Sequence, residues 1–299
     1  MPSHRTRTIL LAALILTTTV CVRAAEPEAP ARKDGFVTLA DGAKIHTIEA
    51  GRPGAGNALL FIPGWTIPAE IWDAQLSHFG QTHRAVAMDP RSQGQSSKMP
   101  DGSFPAARAR DIKGVVDQLG LAPVALVCWS AAVQECLSYV SQFGTGTVSA
   151  LVFVDGISGG SFTPDRMQGF VHWINGFQKD RAHNTEEFIR TMFRKPQPEA
   201  TIQKLLQGSL QTPTDTAVAL VVGAMADDEE ATLAKIDRPT LITVSENPWL
   251  PMYKKMAAAI HGARLEVFSE AGHALFVDEP ERFNGLIEEL LKEAGGKQK

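Results

Sequence analysis

The sequence is short of cysteine: three in 299 residues, too few for a disulfide scaffold. It has no apolar run of the length a membrane-spanning helix needs, which argues against stable membrane insertion. No basic block follows the first residues, and the formal net charge is −4, so the electrostatic footprint of a nucleic-acid partner is missing. Eight histidines are scattered and form no metal-ligand spacing. The 25 glycines and 18 prolines are dispersed, which excludes collagen-like and linker-like architectures. What remains, 44% hydrophobic and 21% charged, is an ordinary globular composition, and the length fits one large domain or two small ones.

The first residues have the layout of a secretory signal peptide. Arg5 and Arg7 precede the apolar run Ile9–Leu16, and Val22-Arg23-Ala24 offers small residues where a signal peptidase reads. A membrane anchor would need a longer run. A lipoprotein would use Cys21, but Val20 before it is larger than a lipobox usually carries. Cleavage of residues 1–24 removes three arginines and no acid, taking the formal charge from −4 to −7. This predicts an exported, periplasmic or secreted protein. Two cysteines then remain. Cys128 falls at a strand end and Cys136 in the next helix, a geometry that need not meet bridging distances, so free thiols are expected.

Residues 25–34 read as a flexible, Pro- and Ala-rich lead-in. Strands are predicted at Phe36–Leu39 and Lys44–Glu49, joined by an Asp41-Gly42 hairpin turn, and then at Ala58–Ile62, Arg84–Met88, Val124–Val127, Val148–Val154, Thr240–Val244 and Arg264–Phe268. Helical spacing appears over Ala69–Phe79, Ala107–Leu119, Ala131–Phe143, Met252–Ile260 and Pro280–Lys292. Short apolar strands alternating with helices predict an α/β fold, a mostly parallel sheet covered on both faces. Between about 156 and 228 no clear strand appears. Amphipathic stretches follow one another there, at Arg166–Phe177, Thr185–Phe193, Glu199–Leu206 and Thr214–Ala226, as in a helical insertion.

The informative segment is Val124-Ala125-Leu126-Val127-Cys128-Trp129-Ser130-Ala131-Ala132. A buried strand runs into a serine and a helix begins directly after it, which exposes the hydroxyl at the carboxyl edge of the sheet. The positions two before and two after the serine, where glycine is usual, hold Cys128 and Ala132. A serine that only caps the following helix has the same local pattern. Ala271-Gly272-His273-Ala274-Leu275 follows the last strand, and a histidine there can reach the same edge and take a proton from Ser130. Upstream, Ile62-Pro63-Gly64-Trp65 ends a strand with a tight turn whose N–H groups can face an oxyanion.

Together these segments resemble the α/β-hydrolase superfamily from about Gly35 to Leu291. The oxyanion turn matches Pro63-Gly64-Trp65, with Pro63 where His is more usual. The loop after the fourth strand matches Asp89-Pro90-Arg91-Ser92-Gln93-Gly94-Gln95-Ser96, the nucleophile elbow matches 128–132, and the histidine segment matches Gly272-His273. The chain looks most like the small esterases and non-haem haloperoxidase-like hydrolases. The resemblance implies a doubly wound sheet of about eight strands, with a helical cap at about 156–228 after the sixth. It also implies an acyl-enzyme mechanism. Ser130 is the nucleophile, His273 the general base, and the N–H groups of Trp65 and Ala131 the oxyanion donors, worth about 3–4 kcal/mol each. No metal or organic cofactor is required.

The expected acid is missing from its usual place, because the loop after the seventh strand reads Ser245-Glu246-Asn247-Pro248. Asp155, at the end of the sixth strand, is the favoured acid, as in superfamily members that place it there. Its bland reading is a turn-forming Asp-Gly. Glu246 is the alternative, and Asn247 could orient an imidazole without charge. Phe170, Trp173, Phe177, Phe188, Met192 and Phe193 are apolar candidates for the inner face of the cap, implying uncharged, medium-sized ester or lactone small molecules as substrates. Three functions compete: an exported serine ester hydrolase, a lactonase or perhydrolase on the same site, and a non-catalytic binding protein on a degenerate scaffold. Oligomeric state is not legible.

Overall fold

The computed structural model describes residues 31–54, 56–159 and 164–296; the signal segment expected over 1–24 lies outside them. Strands β1 (Arg32–Thr38) and β2 (Lys44–Ala50) form an antiparallel hairpin. The lead-in expected through residue 34 needs correcting at its end. Arg32-Lys33-Asp34 are already strand, because β2 runs long enough to pair them as far as Arg32↔Ala50.

The chain continues through β3 (Ala58–Ile62), a tight turn of helix at Ala69–Trp72, α1 (Asp73–Phe79), β4 (Ala85–Met88), α2 (Pro105–Gln118), β5 (Val124–Trp129), α3 (Ala132–Phe143) and β6 (Val148–Val154). After a helical excursion come β7 (Thr240–Ser245), α9 (Leu250–Ala259), β8 (Arg264–Phe268), α10 (Leu275–Asp278) and α11 (Pro280–Gly296). The excursion comprises α4 (Pro164–Lys179), α5 (Arg181–Thr191), α6 (Glu199–Leu210), α7 (Thr214–Ala226) and α8 (Glu230–Leu233). The four-residue helices α8 and α10 are too short to leave a periodic signal in the sequence.

The eight strands lie in the order β1-β2-β4-β3-β5-β6-β7-β8. β2 meets β1 and β4 antiparallel, and every pairing from β4 to β8 is parallel. Alternate side chains of each central strand enter opposite layers. Ala125, Val127 and Trp129 of β5 pack with α1 and α11, while Val124, Leu126 and Cys128 pack with α2, α3 and α9. Winding reverses between β3 and β5, so the crevice at their carboxyl ends is where such a sheet binds ligands.

Cys128 and Cys136 are disulfide-bonded, which corrects the expectation of free thiols. Because α3 starts directly after β5, its second turn folds back over the strand end. The two Cα atoms come to 6.5 Å, inside the bridging range, and both side chains are fully buried.

Candidate active site

Ser130 sits at the strand-to-helix turn with φ 58°, in the left-handed region that costs a non-glycine residue on the order of 1–3 kcal/mol. Space for this bend comes from two neighbouring turns and not from positions 128 and 132. A Cβ on Gly64, after β3, would stand 2.9 Å from the Ser130 Cβ, and one on Gly156, after β6, would stand 2.3 Å from the Ser130 carbonyl oxygen. Cys128 and Ala132 are therefore tolerated, with side chains buried in the α2/α3 layer. The turn is pinned by Ser130 N–H donating to the Val154 carbonyl at 2.8 Å.

The structure brings Ser130, His273 and Asp155 together. His273 Nε2 lies 3.0 Å from Ser130 Oγ, and its Nδ1 lies 2.8 Å from Asp155 Oδ2. A carboxylate accepts only, so the imidazole donates from Nδ1 and presents the Nε2 lone pair to the serine hydroxyl. Asp155 is 5% exposed, with φ 44°, and its backbone N–H donates to Thr243. Three further donors fix its carboxylate: Ser245 N–H at 3.1 Å, Ser245 Oγ at 2.8 Å and Asn247 Nδ2 at 3.2 Å. Tyr253 stands beside the same group. Burial first, and then the Asp155 charge, push its phenol pKa up, keeping it a neutral donor.

Glu246, the alternative acid, is not brought to His273. It is exposed at the rim of the cavity, and its N–H closes on the Phe268 carbonyl at 3.4 Å. Asn247 is near the site but orients the Asp155 carboxylate and not the imidazole. Its Oδ1 accepts from Trp249 N–H at 2.8 Å, which turns Nδ2 toward Asp155.

Trp65 and Ala131 both line the cavity beside Ser130. Among the described residues neither backbone N–H has an acceptor, which leaves two donors available at one place. The Trp65 side chain is buried in the cap. Its indole N–H donates to the Ala217 carbonyl of α7 at 2.7 Å, and its ring packs on Trp173, Phe177 and Phe188 with centroids 4.8, 5.0 and 5.5 Å away.

The cavity holds about 620 Å³. Phe170, Trp173, Phe188, Leu220, Val221 and Met225 of the cap form its roof over Ser130 and His273. Phe177 is buried in the cap interior instead, and Met192 and Phe193 pack into the core on the α1/α11 side.

Two supports left no sequence signal. Trp129 Nε1 donates to the His273 carbonyl at 3.0 Å, and Asp278 accepts from Gly272 N–H at 2.8 Å and from Arg194 N–H at 2.8 Å. Asp278 so ties the histidine loop to the cap loop. Its acceptor role depends on backbone groups from distant segments, which no spacing rule reads.

Residues 59–286 match the model of the Alpha/beta hydrolase family. Over 261 residues the chain is 28% identical to a non-heme haloperoxidase of Rhodococcus erythropolis, an alignment covering 80% of this chain and 93% of that protein. Over 270 residues it is 26% identical to a bifunctional esterase/perhydrolase of Acinetobacter calcoaceticus, covering 84% and 96%. Among solved structures, an esterase from Exiguobacterium antarcticum superposes with a TM-score of 0.78 at 25% identity, covering 86% of this chain and 98% of that one.

Proposed function

The chain belongs to the alpha/beta hydrolase family and is an enzyme acting on ester bonds, and from that premise we propose that it is an exported serine hydrolase of uncharged carboxylic esters, working through Ser130, His273 and Asp155. One observation carries the reading: an unbroken run of hydrogen bonds from Ser130 Oγ through His273 to Asp155, opening on an apolar cavity. In the proposed reaction Ser130 Oγ attacks the ester carbonyl as its proton passes to His273 Nε2. The oxyanion meets the N–H groups of Trp65 and Ala131. His273 then protonates the departing alcohol, and water, activated by the same nitrogen, releases the acid and restores Ser130.

Export is supported by the arginine-flanked apolar run before Ala25 and by the Cys128–Cys136 disulfide, a bond that persists in oxidising compartments. The same acyl-enzyme admits a second reading, favoured by the similarity to a protein named esterase/perhydrolase. Hydrogen peroxide replacing water at deacylation would release a peracid, and a lactone would open to a hydroxy acid.

The test uses protein recovered from an exporting host. We expect mass spectrometry to find Ala25 or a near neighbour as the first residue, and a fluorophosphonate to label Ser130. Ser130→Ala should stay folded, lose the label and lose ester hydrolysis. Near-wild-type hydrolysis by that variant sinks the nucleophile assignment, and an unlabelled wild-type protein points to a binding protein on a hydrolase scaffold. Peracid formation outpacing ester hydrolysis would favour the second reading.

A further inference from the structure

A trans peptide is one rigid plane whose C=O and N–H point in opposite directions. The Gly64 carbonyl and the Trp65 N–H belong to one such plane, so whatever grips the carbonyl aims the N–H. Two donors grip it: the turn's own Ile67 N–H at 3.3 Å and the side chain of Gln93, fully buried in the loop after β4. Its Nε2 donates to the Gly64 carbonyl at 3.1 Å and to the Ile67 carbonyl at 3.2 Å, spanning the turn that carries Trp65. Its Oε1 accepts from Arg108 Nη1 at 2.7 Å, and because a guanidinium only donates, the amide can sit in one orientation alone.

Arg108, on α2, continues the chain. The same Nη1 donates to Glu135 Oε1 at 3.0 Å, and Nη2 to the Arg91 carbonyl at 2.6 Å. Glu135 lies on α3, the helix at whose start the Ala131 N–H stands. Buried polar groups thus run from the peptide bearing one oxyanion donor to the helix bearing the other. The loop holding Gln93 is itself fixed. Asp89 accepts from Ala69 N–H at 2.7 Å and from Gln95 N–H at 2.8 Å, and the Gln93 N–H closes on the Pro90 carbonyl at 2.9 Å. Gln93, Arg108 and Glu135 do not line the cavity. A need for packing alone would be met at lower cost by apolar side chains than by a buried ion pair.

We propose that Gln93 is a positioning residue of the oxyanion site, setting the direction of the Trp65 N–H through the Gly64 carbonyl, with the Arg108–Glu135 pair tying that direction to the Ala131 N–H. The proposal rests on the reading that Ser130 is the nucleophile and that these two N–H groups receive the oxyanion. A donor on the Gly64 carbonyl also polarises the peptide and strengthens its N–H as a donor.

Gln93→Met removes both ends of the amide. Gln93→Glu keeps the shape and the Arg108 partner but faces the two carbonyls with an oxygen. For each, kcat is measured per active site titrated with a fluorophosphonate, beside KM and the affinity for a trifluoromethyl ketone, whose serine adduct carries an oxyanion. The expected result is a fall in kcat of about ten- to a hundredfold, a parallel fall in ketone affinity, and little change in KM. A merely structural role would lower the melting temperature and leave kcat per site and ketone affinity at wild-type levels, and that result overturns the proposal. If Gln93→Met does not fold, Gln93→Glu decides alone. If neither folds, Arg108→Lys, which loses the fork onto Gln93 and Arg91, is read by the same criteria. Failure of the underlying reading is recognised separately: Ser130→Ala would then keep its activity whatever Gln93 does.

Discussion

Asp155 owes its orientation to a shell of neighbours that accept little change. Ser245 holds it twice, Asn247 once, and His273 occupies the remaining direction of Oδ2. Asp155→Asn would place an amide against His273 Nδ1 and favour the tautomer whose proton sits on Nε2, facing Ser130 Oγ. A loss of about 10⁴ in kcat is expected from that change, and almost none from Glu246→Gln at the rim. Steady-state kinetics on both variants decide. A severe Glu246→Gln effect beside a mild Asp155→Asn effect would move the acid to the loop after β7. The sequence presented both carboxylates and favoured Asp155 only through the resemblance, because the residues alone give no distance between segments 118 residues apart. Asn247 was legible as a polar group near the imidazole. Its actual partner, the Asp155 carboxylate, became visible only once β6 and β7 were neighbours, Val154 beside Thr243.

The nucleophile elbow shows why an element can be read correctly while its chemistry is misjudged. β5 and α3 were plain from an apolar run followed at once by helical spacing, and the strands Ala58–Ile62 and Val148–Val154 have the ends expected from the sequence. The redox state of Cys128 and Cys136 was not plain, because it turns on how far α3 leans back over β5. The disulfide closes a short loop around Ser130, with a sequence separation of 8. By loop-closure entropy such a bridge contributes about 2–3 kcal/mol. The double variant Cys128→Ala, Cys136→Ala should therefore melt about 4–10 °C lower. Activity per folded molecule should change little, since Gly64, Gly156 and the Ser130–Val154 hydrogen bond still impose the turn. Calorimetry of oxidised wild type and double variant checks this. Equal melting temperatures, or two alkylatable thiols in the unreduced native protein, would sink it.

At the scale of the molecule, the sheet carries the proposed reacting groups and the cap roofs the cavity above them. The two layers meet at Trp65, whose backbone belongs to the turn after β3 and whose indole is bonded into α7. The sequence located the cap by what it lacks, a strand between β6 and β7, but gave no means of separating its pocket-facing aromatics from its interior ones. All of them recur at helical spacing, and only the packing divides them. Trp173 lines the cavity, whereas Phe177, 2% exposed, fills the space beneath it and contacts Trp65. The two should respond differently to truncation. Trp173→Ala opens the roof, and its kcat/KM for long-chain acyl esters relative to short ones should rise on the order of tenfold, a discrimination reached by one or two methylenes in an apolar pocket. Phe177→Ala leaves a cavity inside the cap and should cost about 3–5 kcal/mol of stability without that shift. A chain-length series of nitrophenyl esters, run beside thermal melts, separates the two effects. If both variants shift chain-length preference equally, or neither does, the substrate does not lie under Trp173, and the acyl group must enter along the Pro248–Trp249 side of the cavity instead.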